Sequence, residues 1–196
     1  MLKIALTLPA FLLVILPLLA AAQGPVIEAP LPPLSIAERG EMIMGSDDEF
    51  SFTPWSSDKD PGKVHILQYF SGTLAHRDLF SPFTDLLQEE LDYTKYHVTT
   101  IINLERALWG TTGFVVSEVK ASKREFPMAT MVLDEEGVGV SDWQLGKQGS
   151  VLAIMDNDGV VRFVSYGPLN EGQMKTSLEL VRGEIKEAEG ISVQAP

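Results

Sequence analysis

One short run limits the folds open to this chain more than any other feature. Residues 64–70, VHILQYF, are apolar on both alternations except at His65 and Gln68. A strand with one wet face alternates apolar and polar side chains, whereas a strand apolar on both sides is covered on both. Such a strand needs packed layers above and below it, which is the α/β arrangement. The sequence that follows fits. Ser81-Pro82 predicts a helix start, with serine at the cap and proline in the first turn. Phe83, Leu86, Leu87 and Leu91 then fall on one helical face. Residues 97–103, HVTTIIN, are β-branched and strand-like. A second helix is expected between Thr112 and Glu125, ended by Phe126-Pro127. TMVLD at 130–134 reads as a third strand, and GVGVSDWQL after it as a loop or one helical turn. Two apolar runs around Asn157-Asp158-Gly159 read as a hairpin. Asn170 and Gln173 form a capping-box-like start for a last helix carrying Met174, Leu178, Val181 and Ile185. Strands alternating with helices imply parallel pairing through crossovers, with the hairpin as an antiparallel edge.

The ends of the chain read differently. Lys3, an apolar stretch from Ile4 to Leu19 and Ala20-Ala21-Ala22 follow the charged, apolar, small-residue order of a secretory signal peptide. Cleavage is expected between Ala22 and Gln23, with small side chains at −3 and −1. The stretch is short for a membrane span, contains Pro9 and Pro17, and no basic cluster follows it. A lipoprotein anchor needs a cysteine at the cleavage point, and the chain has none. Residues 1–22 are therefore read as a signal peptide, 23–34 as a proline-rich linker, 35–190 as the domain and 191–196 as a tail. Residues 35–55, at the domain's start, predict short strands and turns.

Charge and cysteine count narrow the function. With Lys3 removed, the 15 basic residues fall to 14 against 27 acidic ones, a net charge of −13. That surface repels nucleic acid and anionic lipid. Without cysteine, thiol exchange is impossible and stability rests on the core.

No chemical motif is complete. Ser117 and Lys120 form an S-x-x-K without its companion segments, and there is no G-x-S-x-G or P-loop. His65, His76 and His97 lack the short spacings of metal ligands. His65 lies in the apolar strand, as a hydrogen-bonded core histidine would. Asp156, Asp158 and Gly159 read as a turn, because a calcium loop needs a ligand where Val160 stands. Asp58 and Asp60 read as solvated loop carboxylates, and Trp55, Trp109 and Trp143 as core or rim packing.

The closing segment VLAIMDNDGVVRFVSYGPLNEGQM resembles the final unit of thioredoxin-like proteins: strand, D-x-D-G turn, strand, glycine, helix. Trp55-Ser56, ILQ at 66–68, TTIIN at 99–103, WQL at 143–145 and the leader resemble the YtfJ family, small periplasmic thioredoxin-fold proteins of Gram-negative bacteria. The resemblance spans most of residues 35–188. It implies an α/β, thioredoxin-like three-layer sandwich: a mixed sheet with a C-terminal β-hairpin and helix. In thioredoxins the Cys-x-x-Cys pair follows the central strand and faces a cis-proline. Here the corresponding turn is FSGTLAHR, and the proline position falls near Ser150 in KQGSVLAI. Both halves of the redox site are missing.

These readings lead to a non-redox binding or assembly module of the periplasm, with another periplasmic protein or peptide as partner. No cofactor, metal, nucleic acid or membrane anchor after cleavage is expected. The candidate groove lies at the carboxyl ends of the parallel strands and draws on Ser71, Gly72, Thr73, His76, Asn103 and Ser150. Unpaired turn amides, a helix dipole and Arg77 would make it attractive to an anion or chain carboxylate, unless Ser71 and Thr73 merely cap the helix that follows. Gly72 would let the backbone approach a ligand. The alternative is a non-redox enzyme at the same turn, with His76 as base and Ser71 or Thr73 as nucleophile. It requires a third group to orient His76.

Overall fold

The structure, a computed structural model, describes residues 24–58, 62–73, 75–107 and 110–190. The expected signal peptide and its Ala22–Gln23 junction, Asp60, Trp109 and the tail at 191–196 lie outside the described residues. The elements, in chain order, are β1 (Ser35–Met44), β2 (Phe50–Ser56), β3 (Val64–Ser71), α1 (Ser81–Glu90), β4 (Tyr96–Asn103) and α2 (Thr112–Glu125). Then come β5 (Thr130–Asp134), α3 (Val138–Asp142), β6 (Val151–Met155), β7 (Val161–Ser165) and α4 (Glu171–Ala188). They build one mixed sheet in the order β2-β1-β5-β4-β3-β6-β7.

The two-sided apolar run became an interior strand. β3 pairs parallel with β4 and antiparallel with β6, and β4 pairs parallel with β5. Each side of β3 meets its own core. Leu67 and Tyr69 pack with Ile101, Val132, Trp143 and Ala153. Val64 and Ile66 pack instead with Phe83 and Leu87 of α1 and with Leu178 and Val181 of α4. Val119 of α2 joins Ile102, Met131 and Leu133 in a third cluster. Strand alternation puts these last two clusters on the same face. Helices α1, α2 and α4 thus cover one face, and α3 with its flanking chain covers the other.

Local differences have identifiable causes. Ser81 is not the cap of α1: Phe80 is, with no side-chain cap bond, and Ser81-Pro82 stand inside the first turn. Phe80 is almost fully buried, and its carbonyl accepts from the Thr84 amide at 3.1 Å, so a core aromatic sets the entry of the helix. The expected short strands at the domain's start are a hairpin of ten- and seven-residue strands. Its register shifts between Ile36 and Glu41, where Arg39 and Gly40 have positive φ. A Cβ on Gly40 would stand 2.3 Å from the Thr53 carbonyl oxygen. Segment 24–34 forms no long element, yet it is not a free linker. It hydrogen-bonds the β6–β7 turn through Glu28, Ala29 and Leu31, buries Leu34, and accepts the Trp143 indole N–H at Pro32. Arg162 ties it down further, bonding Glu28 at 2.8 Å and the buried Asp156 at 2.9 Å. Asp156 also accepts the amides of Asp158 and Val160, which makes this loop a turn stabilised by its own carboxylate. The capping box at Asn170 and Gln173 is present as the sequence predicts.

Candidate functional site

Several backbone groups of the turn after β3 are already paired. Ser71 and Asn103 end β3 and β4 as register partners, and the Gly72 amide donates to the Asn103 carbonyl at 2.7 Å. A Cβ on Gly72 would lie 3.0 Å from the Ile102 side chain and 3.1 Å from the Asn103 oxygen. Gly72 therefore allows close approach to β4. The Thr73 amide bonds the Ser71 carbonyl, and the His76 amide bonds the Thr73 carbonyl. Helix α1 begins only at Ser81, and the amides of Gly72, Thr73 and His76 are already engaged. Arg77 is engaged with Glu118 of α2 at 2.9 Å.

The expected site residues differ in what holds them. Thr73 Oγ1 and His76 Nδ1 are 2.8 Å apart, but among the described residues no carboxylate orients His76. Ser71 is 2% exposed, too enclosed for a nucleophile. Ser150 donates to the Tyr166 carbonyl at 3.2 Å and so belongs to the hairpin. Asn103 accepts the Glu105 amide at 2.8 Å, while its Nδ2 and the Ser71 Oγ have no protein partner. Beside them lies a group the sequence reading missed. Buried Asp134 accepts from the Tyr69 hydroxyl at 2.8 Å and from the Val138 and Gly139 amides at 2.9 Å. Burial, and then the Asp134 carboxylate, push the Tyr69 phenol well above its ordinary range. A Cβ on Gly139 would lie 2.3 Å from the Tyr69 ring, so a side chain there would wedge the ring from its place. On this face the carboxyl ends of β3, β4 and β5 are enclosed, with Tyr69 and Asp134 hydrogen-bonded and Ser71 Oγ and Asn103 Nδ2 without a protein partner.

The opposite face is open. Between α1 and α2 runs a groove of about 1400 Å³, floored by β3 and β4. It runs from Lys63 and Tyr93 at the amino ends of these strands to Gly72 and Thr73 at the carboxyl ends. Val98, Phe70, Ile102 and Met131 make much of its lining apolar, and Phe114 and Met128 line it while 53% and 70% exposed. Gln68 and Thr100 form a polar rung across the floor, with Gln68 Nε2 donating to Thr100 Oγ1 at 2.6 Å. Gln68 is 8% exposed, and its Oε1 has no protein partner. A buried amide oxygen without a partner costs about 1–3 kcal/mol, so a donor brought into the groove would recover much of that. One rim is held by a buried lysine: Lys123 Nζ donates to the carbonyls of Pro127 at 3.0 Å and Ala129 at 2.6 Å. The groove left one trace in the sequence, since Gln68 and Thr100 are polar residues inside otherwise apolar strands. Nothing in the sequence spacing places α2 far enough from α1 to uncover them. Among the described residues no group of three or more His, Asp or Glu is placed to hold a metal.

Residues 26–184 match the family described as "Bacterial protein of unknown function (YtfJ_HI0045)". A Haemophilus influenzae protein described as uncharacterized is 32% identical over 161 residues, covering 82% of this chain and 87% of the relative. The Escherichia coli "Uncharacterized protein YtfJ" is 28% identical over 173 residues, covering 88% of this chain and 94% of that protein. Among solved structures, a thiol-disulfide isomerase from Corynebacterium glutamicum superposes with a TM-score of 0.52 at 15% identity, over 76% of this chain and 95% of that one. A thioredoxin-like superfamily protein, SPOA0173, gives 0.52 at 14% identity, over 87% and 100%. The fold is thioredoxin-like.

Proposed function

This chain belongs to the YtfJ family and combines a thioredoxin-like fold with the absence of cysteine, and from that premise we propose that it is a non-redox binding module, exported to the periplasm, whose partner is another protein or a peptide of that compartment. The observation that carries this reading is the open groove between α1 and α2, with its apolar lining and its buried Gln68 amide. Core strands normally lie under their helices, and an apolar groove with a few convergent polar groups is the usual form of a ligand site. The enzyme alternative has the Thr73–His76 contact in its favour. Among the described residues no carboxylate orients His76, and with Ser71 buried Thr73 is left as its candidate nucleophile. Export is supported by the signal-like leader.

The test uses a photo-crosslinking side chain placed at Phe114, on the groove, and in a second protein at Lys175, an exposed position of α4 that does not line it. Irradiation of the exported protein should give a defined adduct from position 114 and none from 175. No adduct, or the same products from both positions, would overturn the binding reading. Export is checked separately by intact mass. A periplasmic chain should begin at Gln23, and a mass that retains Met1 would sink that part of the proposal.

A further inference from the structure

The floor of the groove has a repeat. β3 and β4 run in parallel register, with Gln68 beside Thr100 and Phe70 beside Ile102, and Val98 lies two residues before Thr100. Same-face residues of a strand are about 6.6 Å apart. Toward the carboxyl ends the floor therefore reads apolar at Val98, polar at Gln68–Thr100, and apolar at Phe70–Ile102. An extended peptide presents its own same-side residues at the same interval, about 6.6 Å. An α-helix advances about 5.4 Å per turn and falls out of step with such rungs. The eight residues of β3 span roughly 26 Å, the length of seven or eight extended residues.

Charge narrows the occupant. Asp78, Asp85, Glu118 and Glu125 line the groove against Lys63 and Arg77, and Arg77 already engages Glu118. The acidic excess, on a chain of net charge −12, favours basic over acidic partners. We infer that the groove holds an extended peptide with apolar side chains at positions i and i+4, a hydrogen-bonding side chain at i+2 that meets Gln68, and basic residues on its flanks. This assignment rests on the binding-module reading and names the occupant of the same groove.

The probe is the capped heptapeptide Lys-Leu-Ser-Asn-Ser-Leu-Lys, titrated into the protein while the Met131 methyl and the Phe114 ring are followed by NMR. Saturable shifts at both residues are expected. Replacing both lysines with glutamate should weaken binding at least tenfold. A scrambled peptide with adjacent leucines should bind at least tenfold more weakly as well. Thr84→Trp and Ser122→Trp fill the groove from opposite walls, and in protein with an unchanged thermal melt each should abolish the shifts. Gln68→Leu should weaken the asparagine peptide severalfold and leave an alanine-substituted version unaffected. Equal binding of the glutamate or scrambled peptide, or binding that survives both tryptophan variants, overturns the assignment. If no heptapeptide binds while Phe114 still captures a partner, the peptide class is wrong and the binding-module reading stands. If both fail, both readings fall.

Discussion

The two faces of the β3–β4 pair are built from the same eight-residue strands and end in opposite conditions. On one face Leu67, Tyr69 and Ile101 are fully buried beneath Trp143, Leu34 and Ile36, and the buried Ser71, Asn103 and Asp134 end β3, β4 and β5. On the other, Val98, Phe70, Gln68 and Thr100 look into a groove because α1 packs toward α4 while α2 packs toward β5. The sealed face lies under the carboxyl-end turn, and there Asp134 bonds the Tyr69 hydroxyl and the Val138 and Gly139 amides. The open face has little to hold it shut beyond the Arg77–Glu118 ion pair, half-exposed on both sides, and such pairs contribute about 0–1 kcal/mol. The contrast teaches that losing the cysteines did not leave this scaffold without a concave surface. The surface lies between α1 and α2 and reaches the turn after β3 at Gly72 and Thr73.

That contrast can be broken by measurement, beginning with the sealed face. Leu67 has no exposed surface, so Leu67→Ala is expected to cost about 2–5 kcal/mol in a urea titration. A loss under about 1 kcal/mol would mean that this face is loosely packed after all. The next largest effect is acid. Burial, with a smaller contribution from His97, holds the His65 imidazole down to about 3. Its ring bonds Thr99 at 2.8 Å. The unfolded chain takes up that proton near the ordinary value of about 6.5, whereas the folded chain stays neutral far below it. The contribution is therefore present in full above about pH 6.5 and is lost as pH falls toward 3. At pH 5 the loss from this group is about 2 kcal/mol, read as a lower urea midpoint than at pH 7. His97, lowered by burial and by Lys63 and Lys123 against the opposing Glu41, acts in the same direction. His65→Leu should flatten the dependence, and an unchanged slope would remove His65 as its cause. The smallest effect belongs to the open face. Phe114→Ser, at a half-exposed position, should change stability by no more than about 0.5 kcal/mol. It should nonetheless weaken capture of the partner or heptapeptide. A large loss of stability there would show that the groove is part of the core and would erase the difference between the faces.

Much of the architecture was legible because it depends on local periodicity. The apolar run at 64–70, the β-branched run at 97–103, the Asp-Gly turn and the Asn170–Gln173 box each state their own conformation, and alternating strands with helices leaves few ways to connect them. The absence of cysteine removed thiol chemistry without any structure. The candidate site was less legible. Ser71, Gly72, Thr73, His76, Asn103 and Ser150 cluster by analogy along the chain, but strand alternation turns Ser71 and Asn103 toward the sealed face, and Ser150 is held by the hairpin. The Tyr69–Asp134 bond joins residues 65 positions apart, and no local pattern encodes such a pairing. Burial of Phe80 and the ten-residue β1 likewise depend on neighbours distant in sequence. What the sequence determined by itself was the set of elements, their order and the chemistry ruled out, since each follows from side chains a few residues apart. The tertiary structure alone decided which polar groups are spent on the fold and which face a groove, because that depends on how far apart α1 and α2 settle on the sheet, a distance set by packing across the whole core.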